Sequence, residues 1–145
     1  MKKQRGQAIV EFALVLPLFM MLLFGAILSG LMFADYMTLS NVARSSAREA
    51  SLQGESKYGE IREKYRSDTR LLTDMYTWPS GQEGMEFRKN DAESMLSNSV
   101  TVIITTDLNT SFPGVSFFKT IMDFPPDHFV INYTMHDETA STASE

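Results

Sequence analysis

Few side chains in this sequence have the types and spacings that do chemistry. The two histidines, His128 and His136, are separated by eight positions, which fits none of the usual zinc or metalloprotease ligand patterns. Asp123 and Asp127 flank Pro125-Pro126, a setting in which acids are ordinarily solvated loop residues. Serines are frequent, but no Gly-x-Ser-x-Gly nucleophile elbow and no phosphate-cradling glycine loop is present. With no cysteine, thiol catalysis, thiolate metal sites and a disulfide framework are all excluded. The sequence thus nominates no catalytic, cofactor-binding or metal-binding residue, and the reading is of a protein that is not an enzyme and needs no cofactor. One ionisable side chain does stand out by position. Glu11 sits at the edge of residues 12–34, a run with no charged residue.

That run is the element that must position Glu11. As a helix it would be about 33–35 Å long, enough to cross a hydrocarbon layer of ~30 Å. It is too long for the apolar region of a cleaved secretory signal, and Asp35-Tyr36-Met37 follows it without a small-x-small exit. Lys2, Lys3 and Arg5 precede it, which predicts a cytoplasmic amino terminus and an exported remainder. Pro17 interrupts the helical bonding without forbidding a membrane helix. Ala26, Gly30 and Ala34 recur every four residues, a spacing that lets a second helix approach closely. A carboxylate is costly near a bilayer, so Glu11 either marks the interface or has a partner.

The register of Glu11 with Gly6 adds to this. Gly6-Gln7-Ala8-Ile9-Val10-Glu11-Phe12-Ala13-Leu14-Val15-Leu16-Pro17, behind a basic leader, resembles the amino-terminal motif of the TadE/TadF-like pseudopilins of the Tad (Flp-type) pilus system. So do Gly30-Leu31-Met32-Phe33-Ala34-Asp35-Tyr36 and the stretch Asn41-Val42-Ala43-Arg44-Ser45-Ser46-Ala47-Arg48-Glu49-Ala50. The resemblance covers roughly residues 4–52. It implies cleavage between Gly6 and Gln7 by a prepilin peptidase, with Glu11 and Phe12 as recognition and assembly residues. Glu11 would then be the fifth residue of the mature chain, paired with an amino terminus during assembly. Implied partners are the peptidase, other Tad pilins and pseudopilins, inner-membrane platform proteins and membrane lipid. The implied location is the bacterial inner membrane, with the carboxy-terminal domain periplasmic or extracellular. The family often carries a cysteine pair in its exported domain; this chain has none.

Composition bounds the rest. Of 145 residues, about 110 follow the apolar run, room for one small core. The net charge is −5. Because the first six residues are basic, the remainder is more acidic than that figure suggests, which argues against nucleic-acid binding. Nothing in the sequence stops the first helix before Gly54, so one helix of ~70 Å is predicted for residues 7–53. Its outer half would offer Val42 and Ala43 to a small domain, with Arg44 and Arg48 on a solvated face. Residues 57–75 read as an amphipathic helix with Ile61, Tyr65, Leu72 and Met75 inward and a Glu60/Lys64 pair. Trp78-Pro79-Ser80-Gly81 breaks it, with Trp78 read as core in preference to membrane surface. Strands are expected at residues 84–88, 99–106 and 128–135; residues 115–122 are ambiguous between strand and helix.

The expected fold class is therefore α+β: a long amino-terminal transmembrane helix extending into a small exported domain of helices and a few antiparallel strands. The expected organisation is a leader at residues 1–6, the transmembrane and extended helix at 7–53, the exported domain at 54–136 and a disordered tail at 137–145. Two functional classes remain open at this point. One is a minor pilin or pseudopilin acting in pilus assembly, and the other is a single-pass anchor carrying an unrelated binding or sensing domain.

Overall fold

A single helix of 52 residues, α1 (Lys2–Gln53), runs the length of the molecule. The computed structural model describes residues 2–89 and 98–140, with the backbone alone for residues 2–6 and for Ala140. The helix passes through Pro17 unbroken and ends where Gly54 adopts φ 81°. That left-handed conformation is one a side chain resists. A 3-10 turn (Glu55–Lys57) and α2 (Tyr58–Asp68) fold back along the outer part of α1.

Four antiparallel strands follow: β1 (Tyr76–Thr77), β2 (Met85–Lys89), β3 (Ser99–Leu108) and β4 (His128–His136). β3 is the centre of the sheet. It pairs along one edge with β4, from Ser99↔His136 to Asp107↔His128. Along the other edge it pairs with β2 and then, at Asp107 and Leu108, with β1. Period-two alternation sends Val100, Val102 and Ile104 to one face, where all three are fully buried. There Val102 and Ile104 meet Leu39, Val42, Ala43 and Ala47 of α1, together with Met85, Ile131 and Trp78. Small residues at 43 and 47 let the helix lie close to the sheet; Ala43 and Ala47 are both fully buried. The predicted packing of Val42 and Ala43 and the core position of Trp78 are what the structure has.

Trp78 also explains the turn between β1 and β2. Its Nε1 donates to the Gly84 carbonyl at 2.7 Å. A Cβ at Gly84 would lie 1.9 Å from the Pro79 carbonyl oxygen, so only glycine permits this closure.

Several local expectations need correcting. The second helix stops at Asp68, not near Met75, because the following backbone has a better partner elsewhere. The Thr73 amide and hydroxyl both donate to the Asp35 carboxylate of α1. Met75 is fully buried, but outside any helix, and Leu72 points to solvent. Glu60 pairs with Lys57 at 2.7 Å, while Lys64 crosses to Glu49 of α1 at 2.9 Å. The ambiguous residues 115–122 form a helix, α3 (Val115–Met122), framed by left-handed residues Gly114 and Asp123. Residues 137–140, at the start of the expected tail, fold onto the domain. Asp137 is buried, Lys89 reaches its carboxylate at 3.0 Å, and a 3-10 turn (Glu138–Ala140) packs on α1. Residues 141–145 lie outside the described residues.

Candidate functional site

The sequence-nominated residues do not converge on a cleft; they are ordered along α1. Gly6 and Gln7 lie in the first turns of the helix, one turn before Glu11 and Phe12. Glu11 is exposed, and its described contact is the Gln7 side-chain amide, which donates to Oε1 at a long 3.4 Å. Twelve large apolar side chains between Ile9 and Ile27 are also exposed. Fully burying an exposed side chain of this kind is worth roughly 1.5–3 kcal/mol, and these are 39–72% exposed, so water is a poor solvent for this half of the helix. Only 6% of the most apolar stretch is buried within the molecule, which distinguishes it from the core helix of a water-soluble protein. The hydroxyls here are satisfied within the helix: Ser29 donates to the Gly25 carbonyl at 2.8 Å and Thr38 to that of Ala34 at 3.0 Å. Each hydroxyl thus has a partner within its own helix.

Ala26 and Gly30 are exposed and Ala34 is half-buried. A Cβ built on Gly30 would meet nothing within 4 Å, so this side of the helix is open to close approach from outside the molecule. From Leu28 onward α1 is increasingly covered by the domain. Leu28 packs with Met75, Tyr76, Val115 and Phe118.

Asp35 marks the junction, and sequence reasoning missed it. It is the first charge after the apolar run, yet it is fully buried and held by Thr73. Its position immediately after the run was the available signal; its partner, 38 residues away, was not legible. Two tyrosines are strongly perturbed, Tyr58 at the far end of α1 and Tyr76 near this junction. Burial, reinforced by the negative charges of Asp137 and Glu55, pushes the Tyr58 hydroxyl up to about 12. Burial likewise pushes Tyr76 up to about 12, and its hydroxyl donates to the Pro126 carbonyl at 2.9 Å. Neither stands beside a nucleophile or base arrangement, and both serve packing.

Several other titratable groups form ion pairs. Lys119 lies 2.8 Å from Asp123 and 3.1 Å from Asp127; hydrogen bonding to the two acids raises Lys119, and the bond from Lys119 lowers Asp123. At Asp137 burial pushes the carboxyl up, but bonds from Thr139 and Lys89 outweigh it and hold it below the usual carboxylate value. His128 and His136 are both exposed, at opposite ends of β4, about 27 Å apart at strand rise. Among the described residues no group of three or more histidines and carboxylates is placed to hold a metal ion. What the arrangement has is one long helix with an exposed apolar half and a half covered by its own domain.

No curated protein and no solved structure matches the chain. The family description that does match is the TadE-like protein family, over residues 6–48. This span runs from the glycine before Gln7 through the apolar half of α1 and into the part that lies under the sheet. Residues 6–48, most of α1, are thus similar to the TadE-like protein family.

Proposed function

We propose that this chain is a TadE-like minor pilin or pseudopilin that acts in assembly of Tad/Flp-type pili. A prepilin peptidase removes residues 1–6 on the cytoplasmic side, Gln7 becomes the first residue, and α1 remains as the membrane span and assembly helix. The observation that carries this reading is the coincidence of the family match at residues 6–48 with one helix that is apolar and exposed in its first half. The basic flank Lys2, Lys3 and Arg5 favours a cytoplasmic amino terminus, which puts the sheet domain outside the membrane. After cleavage the new α-amino group and the Glu11 carboxylate would be complementary charges one helical turn apart in sequence. Equivalent groups on neighbouring copies could pair the same way, because an unpartnered carboxylate in lipid is disfavoured. The open face of Ala26 and Gly30 would then admit another pilin's helix. Other Tad pilins and platform proteins are the expected partners.

The test is the amino-terminal mass of the protein from cells that hold the peptidase. A terminus at Gln7 is expected in the parent chain and an intact leader in Gly6→Trp. Recovery of the full leader in the parent, or normal cutting of the variant, would remove the assignment. The competing reading, a simple anchor for an unrelated binding domain, draws on the family match ending at residue 48, before α2 and the whole sheet. It requires neither the cut nor Glu11.

A further inference from the structure

Helix α3 lies where a domain held outside the membrane would not be expected to place an apolar element. It packs on the apolar half of α1: Phe118 sits 3.6 Å from where a Cβ on Gly25 would be, and Phe118 and Val115 join Leu28 in one buried cluster. Its outward side is apolar as well. Phe117, Ile121 and Met122 are 57%, 53% and 55% exposed. The Thr120 hydroxyl is turned onto the Ser116 carbonyl at 2.8 Å, and the Lys119–Asp123–Asp127 ion group lies toward the carboxy-terminal end. Between α1 and α3 runs an open groove of about 640 Å³ whose walls include Pro17, Met20, Phe24, Ile27, Phe117 and Phe118.

The depth of this contact follows from helix rise. With Glu11 at the inner boundary, a hydrocarbon layer of ~30 Å takes about 20 residues and ends near Leu31. Leu28 and Gly25 then lie roughly 4–9 Å below the outer boundary, the depth at which interfacial helices seat their apolar faces. We propose that α3 is a second membrane contact, seated in the outer leaflet beside α1, and that lipid acyl chains fill the groove between them. This rests on the reading of α1 as a membrane span. Lipid is favoured over a neighbour's helix because the groove walls are mainly Leu, Met, Phe and Ile, with Gly114 their one small residue, where close helix approach needs a row of small residues. The small stripe of Ala26 and Gly30 is centred roughly 120° around α1 from the groove at 100° per residue. Acyl chains, like methionine and phenylalanine side chains, adapt to an irregular apolar wall. The consequence is that the sheet domain is held against the membrane surface in one orientation and does not swing on α1.

The natural absence of cysteine makes the test direct. Single cysteines replacing Phe117, Ile121, Ile27, Leu22 or Glu63 in the full chain, spin-labelled and reconstituted in phosphatidylcholine vesicles, report collision with oxygen and with a water-soluble nickel chelate. All five positions are exposed or at the groove rim, so labelling leaves the core intact. The expected result is a several-fold higher oxygen-to-nickel ratio at 117, 121 and 27 than at 63, approaching that at 22. A lipid value at 22 with a water value at 117 and 121 overturns the α3 contact and leaves the span standing. A water value at 22 overturns the span and the α3 contact with it. Spin–spin broadening at 27 and 117 that disappears on dilution with unlabelled protein would assign the groove to a second copy and overturn lipid occupancy.

Discussion

The two halves of α1 share a backbone and a handedness, and both are rich in small and apolar residues, yet they answer to different surroundings. In the inner half, Leu14 and Leu22 are 72% and 66% exposed; in the outer half, Leu39 is fully buried under the sheet. The inner half meets α3 only at its outer end, around Gly25 and Leu28, and most of its apolar side chains stay exposed. The outer half is the largest single wall of the domain core, covered by β3 and β4. Composition is a poor guide to the difference, and the distribution of charge is a good one. The inner half has Glu11 at its start and then no charge to Ala34, whereas Arg44, Arg48 and Glu49 interleave the buried positions of the outer half. A helix that is apolar on all sides needs an apolar solvent, and one with a charged side needs only a core.

Substitutions along the helix can break this contrast. The largest effect is expected for Leu39→Ala, which should cost the domain about 2–5 kcal/mol through lost burial and a residual cavity. Leu22→Ala should leave domain stability within ~0.5 kcal/mol. Denaturant unfolding in micelles, followed through the single tryptophan, Trp78, compares them. Equal losses would mean the halves are not energetically separate.

At the junction, Asp35→Ala leaves the Thr73 amide without its acceptor and should cost about 2–3 kcal/mol. The same unfolding measurement reads it, and a neutral result would show that residues 69–75 find another anchor.

A smaller effect belongs to Asp137, at the far end. Its folded carboxyl titrates below the ordinary value of 3.8, so its contribution is complete above that value. The contribution is lost as pH falls from there through the lower folded value. Asp137→Asn should therefore cost about 1–2 kcal/mol at neutral pH and progressively less as acid protonates the parent. A constant difference from neutrality into strong acid would exclude this carboxylate as the source.

The smallest stability effect is expected for Glu11→Gln, because Glu11 touches nothing in the domain. Unfolding should be unchanged and membrane levels normal, while pilus assembly is lost. Unchanged assembly would favour the simple anchor.

Much of this organisation was legible in the residues alone, for physical reasons that are local. An uncharged run of this length makes a helix that is apolar on all sides whatever follows it, and the alternation of Val100, Val102 and Ile104 makes a strand with one buried face. Gly54 ends a helix because it tolerates φ 81° where a side chain would not. Pairings between distant residues were not legible in this way. Asp35 with Thr73, Lys64 with Glu49, and Lys89 with Asp137 each join groups that no sequence window contains. They decided where α2 stops and that residues 137–140 fold onto the domain. The placement of α3 is of the same kind: Val115–Met122 has the composition of either a strand or a helix. Only packing of Phe118 on Gly25 and Leu28 makes it a helix beside the span, because burial there depends on a surface supplied by residues ninety positions earlier. The sequence by itself determined the long apolar helix and the α+β class. Tertiary structure alone decided where the domain meets the anchor, since that depends on surfaces formed only once the chain has folded.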